Sequence, residues 1–127
     1  MLLCIVSVSF SSCSKDDSSF DYPMETLYGT WDGTAIGIDG QWIDITNYWY
    51  KEFEFSITFA EKGKYYADGY FGYGSGTYEA SGKTIKTYVD GEYYRTYTIK
   101  SLTDNNAEVI MSVEGSEQTI GLKVKKR

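Results

Sequence analysis

Histidine is absent from the 127 residues of this chain, and that absence removes the usual general base, the commonest metal ligand and every Ser-His-Asp arrangement. Carboxylates are plentiful, with 18 Asp and Glu, so an acid/base pair of the glycosidase type is the hydrolytic chemistry that composition leaves open. Yet Glu54, Glu79, Glu92, Glu108 and Glu114 stand opposite apolar positions or beside turns, where a solvated side chain is the simpler expectation. Gly72-Tyr73-Gly74-Ser75-Gly76 lacks the Lys and the following helix that a phosphate-cradling loop requires. Asp39, Asp44 and Asn47 miss the spacing of a calcium loop, and no bidentate Glu follows at the right offset. These patterns point to no catalytic residue, no metal and no cofactor.

What does exceed a plain background is an aromatic surplus of 13 Tyr, 6 Phe and 3 Trp. Two clusters fall in segments that read as connections, Tyr48-Trp49-Tyr50 and Tyr70-Phe71-Gly72-Tyr73. Rings that carry a polar tip suit contacts that are apolar on one side and wet on the other, including stacking on sugar faces and gripping a partner protein. Tyr48, Trp49, Tyr50, Tyr70, Phe71 and Tyr73 are therefore the candidate ligand-binding residues. The competing expectation is that the same rings plug a barrel mouth or cover the core.

The elements that must position them read as strands. Abundant Tyr, Thr, Gly and Phe is a strand composition, because aromatic and β-branched side chains fit a pleated, half-buried surface. From Leu27 onward short alternating runs are separated by turn residues. Residues 29–38 form the first and end at Asp39-Gly40; residues 41–50 alternate weakly at Trp42, Ile43 and Ile45. Phe53, Phe55, Ile57 and Phe59 give the clearest period of two, with Glu54, Ser56 and Thr58 on the opposite face. Asp90-Gly91 is a type I′ hairpin signal, and Tyr93, Tyr97 and Ile99 share a face that Arg95 interrupts. Further turns fall at Thr103-Asp104-Asn105-Asn106 and Glu114-Gly115-Ser116. About eight strands joined by tight turns predict an all-β antiparallel up-and-down meander, and such a meander removes both of its edges by closing into a small barrel.

The formal charge is −6, and removing the four cations that close the chain, Lys123, Lys125, Lys126 and Arg127, leaves −10 on the rest. An acidic body repels phosphate backbones, so nucleic acid is not an expected partner. The basic end reads as a solvated strand edge that discourages edge-to-edge pairing. At the other end, residues 2–10 form an apolar run about half as long as a membrane span requires, which suits the apolar region of a signal peptide.

Phe10-Ser11-Ser12-Cys13 resembles the bacterial lipobox, in which small residues precede a Cys that is lipidated and becomes the mature N-terminus. The resemblance implies a signal peptide over 1–12, a lipidated Cys13 heading a flexible acidic and Ser-rich tether over 13–24, and one folded domain over 25–127. Cys4 would leave with the signal peptide and Cys13 would carry lipid, so no thiol would remain for a disulfide, a zinc site or a nucleophile. Ser14-Lys15-Asp16-Asp17 resembles the short Lys/acidic signal of Bacteroidota lipoproteins bound for the outer face of the outer membrane, which implies the cell surface ahead of the periplasmic face.

Leu27-Tyr28-Gly29-Thr30-Trp31, Ile57-Thr58-Phe59, Gly63-Lys64-Tyr65, Gly76-Thr77-Tyr78, Gly82-Lys83-Thr84-Ile85 and Leu102-Thr103, in that order and spacing, resemble the lipocalin-like domain of Bacteroidota lipoproteins. The resemblance implies a calyx-like barrel in which Trp31 packs across the closed end. Two functions follow as expectations: a lipid-anchored, non-catalytic module holding a small apolar or glycan-like ligand in or at the mouth of the barrel, or an interaction lipoprotein that docks another envelope protein through exposed rings. A hollow interior favours the first, a filled one the second.

Overall fold

Period-two alternation puts every second side chain on the same face of a strand, and a chain that repeats it between short turns can bury that face only by curling round it. The computed structural model of the chain describes residues 19–113 and 117–127, and it shows this outcome. Among the described residues nine strands follow the helical turn α1 (Met24–Leu27): β1 (Gly29–Ile38), β2 (Gln41–Asp44), β3 (Phe55–Ala60), β4 (Lys64–Gly69), β5 (Gly74–Ser81), β6 (Thr84–Val89), β7 (Glu92–Leu102), β8 (Asn106–Val113) and β9 (Thr119–Lys126). Each strand from β3 to β9 pairs antiparallel with the next, and β9 returns to pair with β1 from Gly121↔Gly37 to Lys126↔Trp31. β3 closes the ring against the first half of β1, Gly29↔Phe59 to Asp32↔Ser56. The result is a closed eight-stranded barrel of β1 and β3–β9, with β2 as an extra strand on the second half of β1, Ala35↔Asp44 to Ile38↔Gln41.

The hairpin signals are made as the sequence predicts. Asp39 and Gly40 (φ 53° and 81°) and Asp90 and Gly91 (φ 57° and 79°) all adopt the positive φ that a type I′ turn needs at both central positions. Four other readings are corrected. The stretch 41–50 is a strand only to Asp44; Asp44 Oδ1 then accepts from the Thr46 amide at 2.9 Å, and Asn47 Oδ1 accepts from the Trp49 amide at 3.0 Å, capping a 3₁₀ segment, Tyr48–Phe53. Phe53 ends that segment instead of opening β3. On β7 the register with β6 slips between Thr87 and Tyr88, so Arg95 faces Thr87 while Tyr93 faces Tyr88. The extra residue, Tyr94, takes the inward place foreseen for Tyr93, and its ring lies 6.2 Å from the fully buried Tyr65. Finally, the tether does not run free to residue 24: Phe20 is buried, bridges to Gly82, and stacks its ring 5.5 Å from Tyr22, because an apolar ring beside an open barrel end gains by covering it. The signal peptide, Cys13, residues 14–17 and the Glu114-Gly115-Ser116 turn lie outside the described residues.

The two barrel ends differ. At the end where β1 begins, α1 lays Leu27 across the opening; Trp31, 2% exposed, donates its indole N–H to the Leu27 carbonyl at 2.9 Å. Lys126 Nζ lies 5.0 Å from the Trp31 ring centre and donates to the Thr26 carbonyl at 2.9 Å. This is the closed floor that the first-strand Trp implied. The interior above it is filled by Phe55, Ile57, Phe59, Tyr65, Tyr78, Tyr97, Met111 and Leu122. Two interior voids measure about 20 Å³ and 10 Å³, room for a water molecule at most. Among the described residues no helix is long and apolar enough to cross a membrane.

Candidate binding site at the barrel mouth

Strand direction decides where the two aromatic clusters go. β3 descends from Phe55 and β4 climbs to Gly69, so the segment entering β3 and the loop leaving β4 meet at the end opposite Trp31. The Tyr70 amide donates to the Glu54 carbonyl at 2.8 Å and locks the two together. At Gly69 (φ 113°) a side chain would place its Cβ 2.4 Å from that same carbonyl oxygen, so the crossing requires glycine.

The rings then form a continuous file across the mouth. Tyr50 stands 6.1 Å from Phe53, Phe53 4.7 Å from Tyr70, Tyr70 5.0 Å from Phe71, and Phe71 5.1 Å from Phe55 at the top of the core. Tyr48 and Trp49 pair edge to face at 6.0 Å beside this file. The structure thus brings all six predicted residues to one end and sorts them. Tyr48, Trp49 and Tyr73 are 79%, 80% and 78% exposed. Tyr50 and Tyr70 are partly covered by their neighbours, and Phe71 packs against the core as a plug.

Beside the file an open cleft of about 710 Å³ runs down the outside of the barrel, lined by Tyr70, Tyr73, Lys51, Glu52, Glu54 and Asp68 among others. Asp32 at its lower edge is held in a fork by Arg127, at 2.7 and 3.1 Å. Rings beside hydrogen-bonding groups of both signs can stack on an apolar face and bind hydroxyls at once. Among the described residues no three Asp, Glu, His or Cys side chains gather into a group that could hold a metal ion.

Three site residues escape the sequence reading. Phe53 links the two clusters, and its apparent place in the period-two run concealed that. Arg95, seen in sequence as a break in an apolar face, faces inward beneath the plug, where its guanidinium donates to the Phe71 carbonyl and lies 4.4 Å from the Tyr94 ring centre. Tyr94 reaches the interior only because of the bulge. Deeper still, Tyr65 and Tyr97 share a hydroxyl hydrogen bond of 2.9 Å. Burial pushes both phenols above the ordinary tyrosine value, with the positive charge of Arg95 pulling the other way.

Compared with known families, residues 27–106 match the lipocalin-like domain. The chain belongs to that family. The match opens at Leu27 on the floor and takes in both aromatic clusters, Tyr94 and Arg95. Neither curated proteins nor solved structures gave a match.

Proposed function

We propose that this lipocalin-like barrel is a non-catalytic binding module that takes a small apolar or glycan-like ligand at its mouth, tethered through a lipidated Cys13 to the outer membrane and facing the cell surface. The observation that carries the reading is the convergence of Tyr48, Trp49, Tyr50, Tyr70, Phe71 and Tyr73 on one barrel end, where Tyr70 and Tyr73 line a cleft large enough for a small ligand. The filled interior counts against a ligand deep in a calyx, so the reading rests on the mouth and the cleft. Extracting the full chain gently from its membrane and recording a native mass spectrum tests this. A small molecule should be retained, and lost on changing Trp49 and Tyr70 to Ala. A ligand-free mass, with no small hydrophobic or glycan probe taken up, would sink the reading. In the same preparation Cys13→Ser should move the protein from the detergent phase to the aqueous phase.

The filled interior favours a second reading over any ligand held inside the barrel: Tyr48, Trp49 and Tyr73 dock another envelope protein and no small ligand is involved. Crosslinking in whole cells separates the two, since only docking gives a defined protein adduct that Trp49→Ala abolishes.

A further inference from the structure

Arg95 carries a charge to the inner side of the barrel with no ion-pair partner among the described residues. It stands on the inward side of β7, above Tyr97 and Ile99, yet it belongs to neither ion pair of the described residues, Lys83–Asp21 and Arg127–Asp32, both of which lie on the outer surface. One guanidinium N–H donates to the Phe71 carbonyl. The Nε atom is buried with no acceptor at all. A buried donor left unpaired is costly, and more so on a part-buried cation whose acceptors, the Phe71 carbonyl and the Tyr97 hydroxyl, are neutral, unless another group at times completes the arrangement.

Phe71 supplies the outline of that group. It presents one oxygen to Arg95 and one phenyl ring to an apolar wall of Phe55, Ile57, Ala67, Met111 and Leu122, over the void of about 10 Å³. Gly69 and Gly72 bracket it at φ 113° and 118°, conformations open to glycine, and at Gly72 a Cβ would meet the Tyr94 hydroxyl at 3.0 Å. The plug is thus a short loop set between two glycines and tied down by the Tyr70 amide to Glu54 and the Gly72 amide to the Gly69 carbonyl, and its displacement would leave behind a phenyl-sized apolar seat with a guanidinium fork at its rim. A guanidinium matches the two oxygens of a carboxylate, whereas the Phe71 carbonyl offers one oxygen and no charge.

We infer that Phe71 occupies the seat of an external monocarboxylate bearing a phenyl-sized apolar group, whose carboxylate pairs with Arg95 and whose tail replaces the Phe71 ring. This deepens the binding reading of the mouth and rests on it. The full chain in detergent, titrated with 3-phenylpropionate and with the neutral 3-phenylpropanol, gives the test by calorimetry. The acid should bind at least roughly tenfold more tightly than the alcohol, the gain expected of a charge-assisted pair. Phe71→Ala, by removing the competing ring while keeping the backbone carbonyl, should tighten the acid further, and Arg95→Met should erase the preference while leaving weak binding of both. The wild-type comparison of acid with alcohol stands without either variant, should Arg95→Met fail to fold. Equal affinity for acid and alcohol in wild type and in Phe71→Ala overturns the carboxylate seat while the mouth remains a binding site. Uptake of neither probe by either protein, together with a ligand-free native mass, overturns both.

Discussion

At each end of the barrel a cation meets a buried or part-buried aromatic ring, Lys126 over Trp31 at the floor and Arg95 over Tyr94 at the mouth, and these two arrangements are finished differently. At the floor the indole N–H and the lysine ammonium both reach backbone carbonyls of the segment that crosses the opening. At the mouth the guanidinium has a buried nitrogen with no acceptor, held under a loop that turns on two glycines. Completed hydrogen bonding suits a part that never has to open, and incomplete hydrogen bonding marks the part where a ligand can still add something. The tryptophans repeat the contrast: Trp31 is 2% exposed and Trp49 80%.

If the floor is the stabilising end, substitutions should divide by end. Trp31→Ala should cost about 3–5 kcal/mol, the range for emptying a buried aromatic site, and urea unfolding followed by circular dichroism would show it. A loss below about 1 kcal/mol would break the contrast. Midway between the ends, Tyr65→Phe removes one partner of the Tyr97 hydroxyl and should cost about 1 kcal/mol by the same measurement. That pair also predicts a pH dependence. Both phenols are raised by burial above the ordinary 10.0, so the folded state holds protons that the unfolded chain releases. Their contribution to stability is therefore complete below pH 10, falls as pH climbs beyond it, and should fall less steeply in Tyr65→Phe. Unfolding midpoints between pH 8 and pH 11 read this out, and a slope unchanged by the substitution counts against it.

Smaller effects sharpen the same comparison. Lys126→Met keeps the aliphatic stem but loses the ring contact and the bond to Thr26, and should lower stability by about 1 kcal/mol. Trp49→Ala should leave stability within about 0.5 kcal/mol of wild type while weakening whatever the mouth holds. Destabilisation as large as that of Trp31→Ala would instead make the exposed cluster a structural cap.

Much of this was legible beforehand, and the physical reason is locality. Alternation over 55–59 and the Asp39-Gly40 and Asp90-Gly91 turns depend on neighbours in sequence, so β1, β3 and the hairpins could be foreseen, and closure followed from their number. The bulge at Tyr94 depends on the register between β6 and β7, which alternation along β7 alone does not disclose, and so Tyr93 was placed inside. Phe53 continued the apolar period by chance of spacing, while Asn47 capped the 3₁₀ segment that removed it from the strand. The aromatic clusters were visible as compositions. Their joining through Phe53 and Tyr70 was not, because it depends on strand order. Arg95 looked like a fault in an apolar face, and a single chain gives no sign of whether such a residue points to water or to a ring.

The docking of Phe20 against Gly82 has a consequence for orientation. Gly82 lies between β5 and β6 on the same side of the barrel as Trp31, so the chain enters at the floor. With Cys13 in the lipid, as proposed, six residue steps would separate it from Ser19, at most roughly 20 Å of chain. That distance would keep the floor near the bilayer and turn the mouth outward, so a ligand would arrive from the aqueous side, not from the membrane that holds the protein.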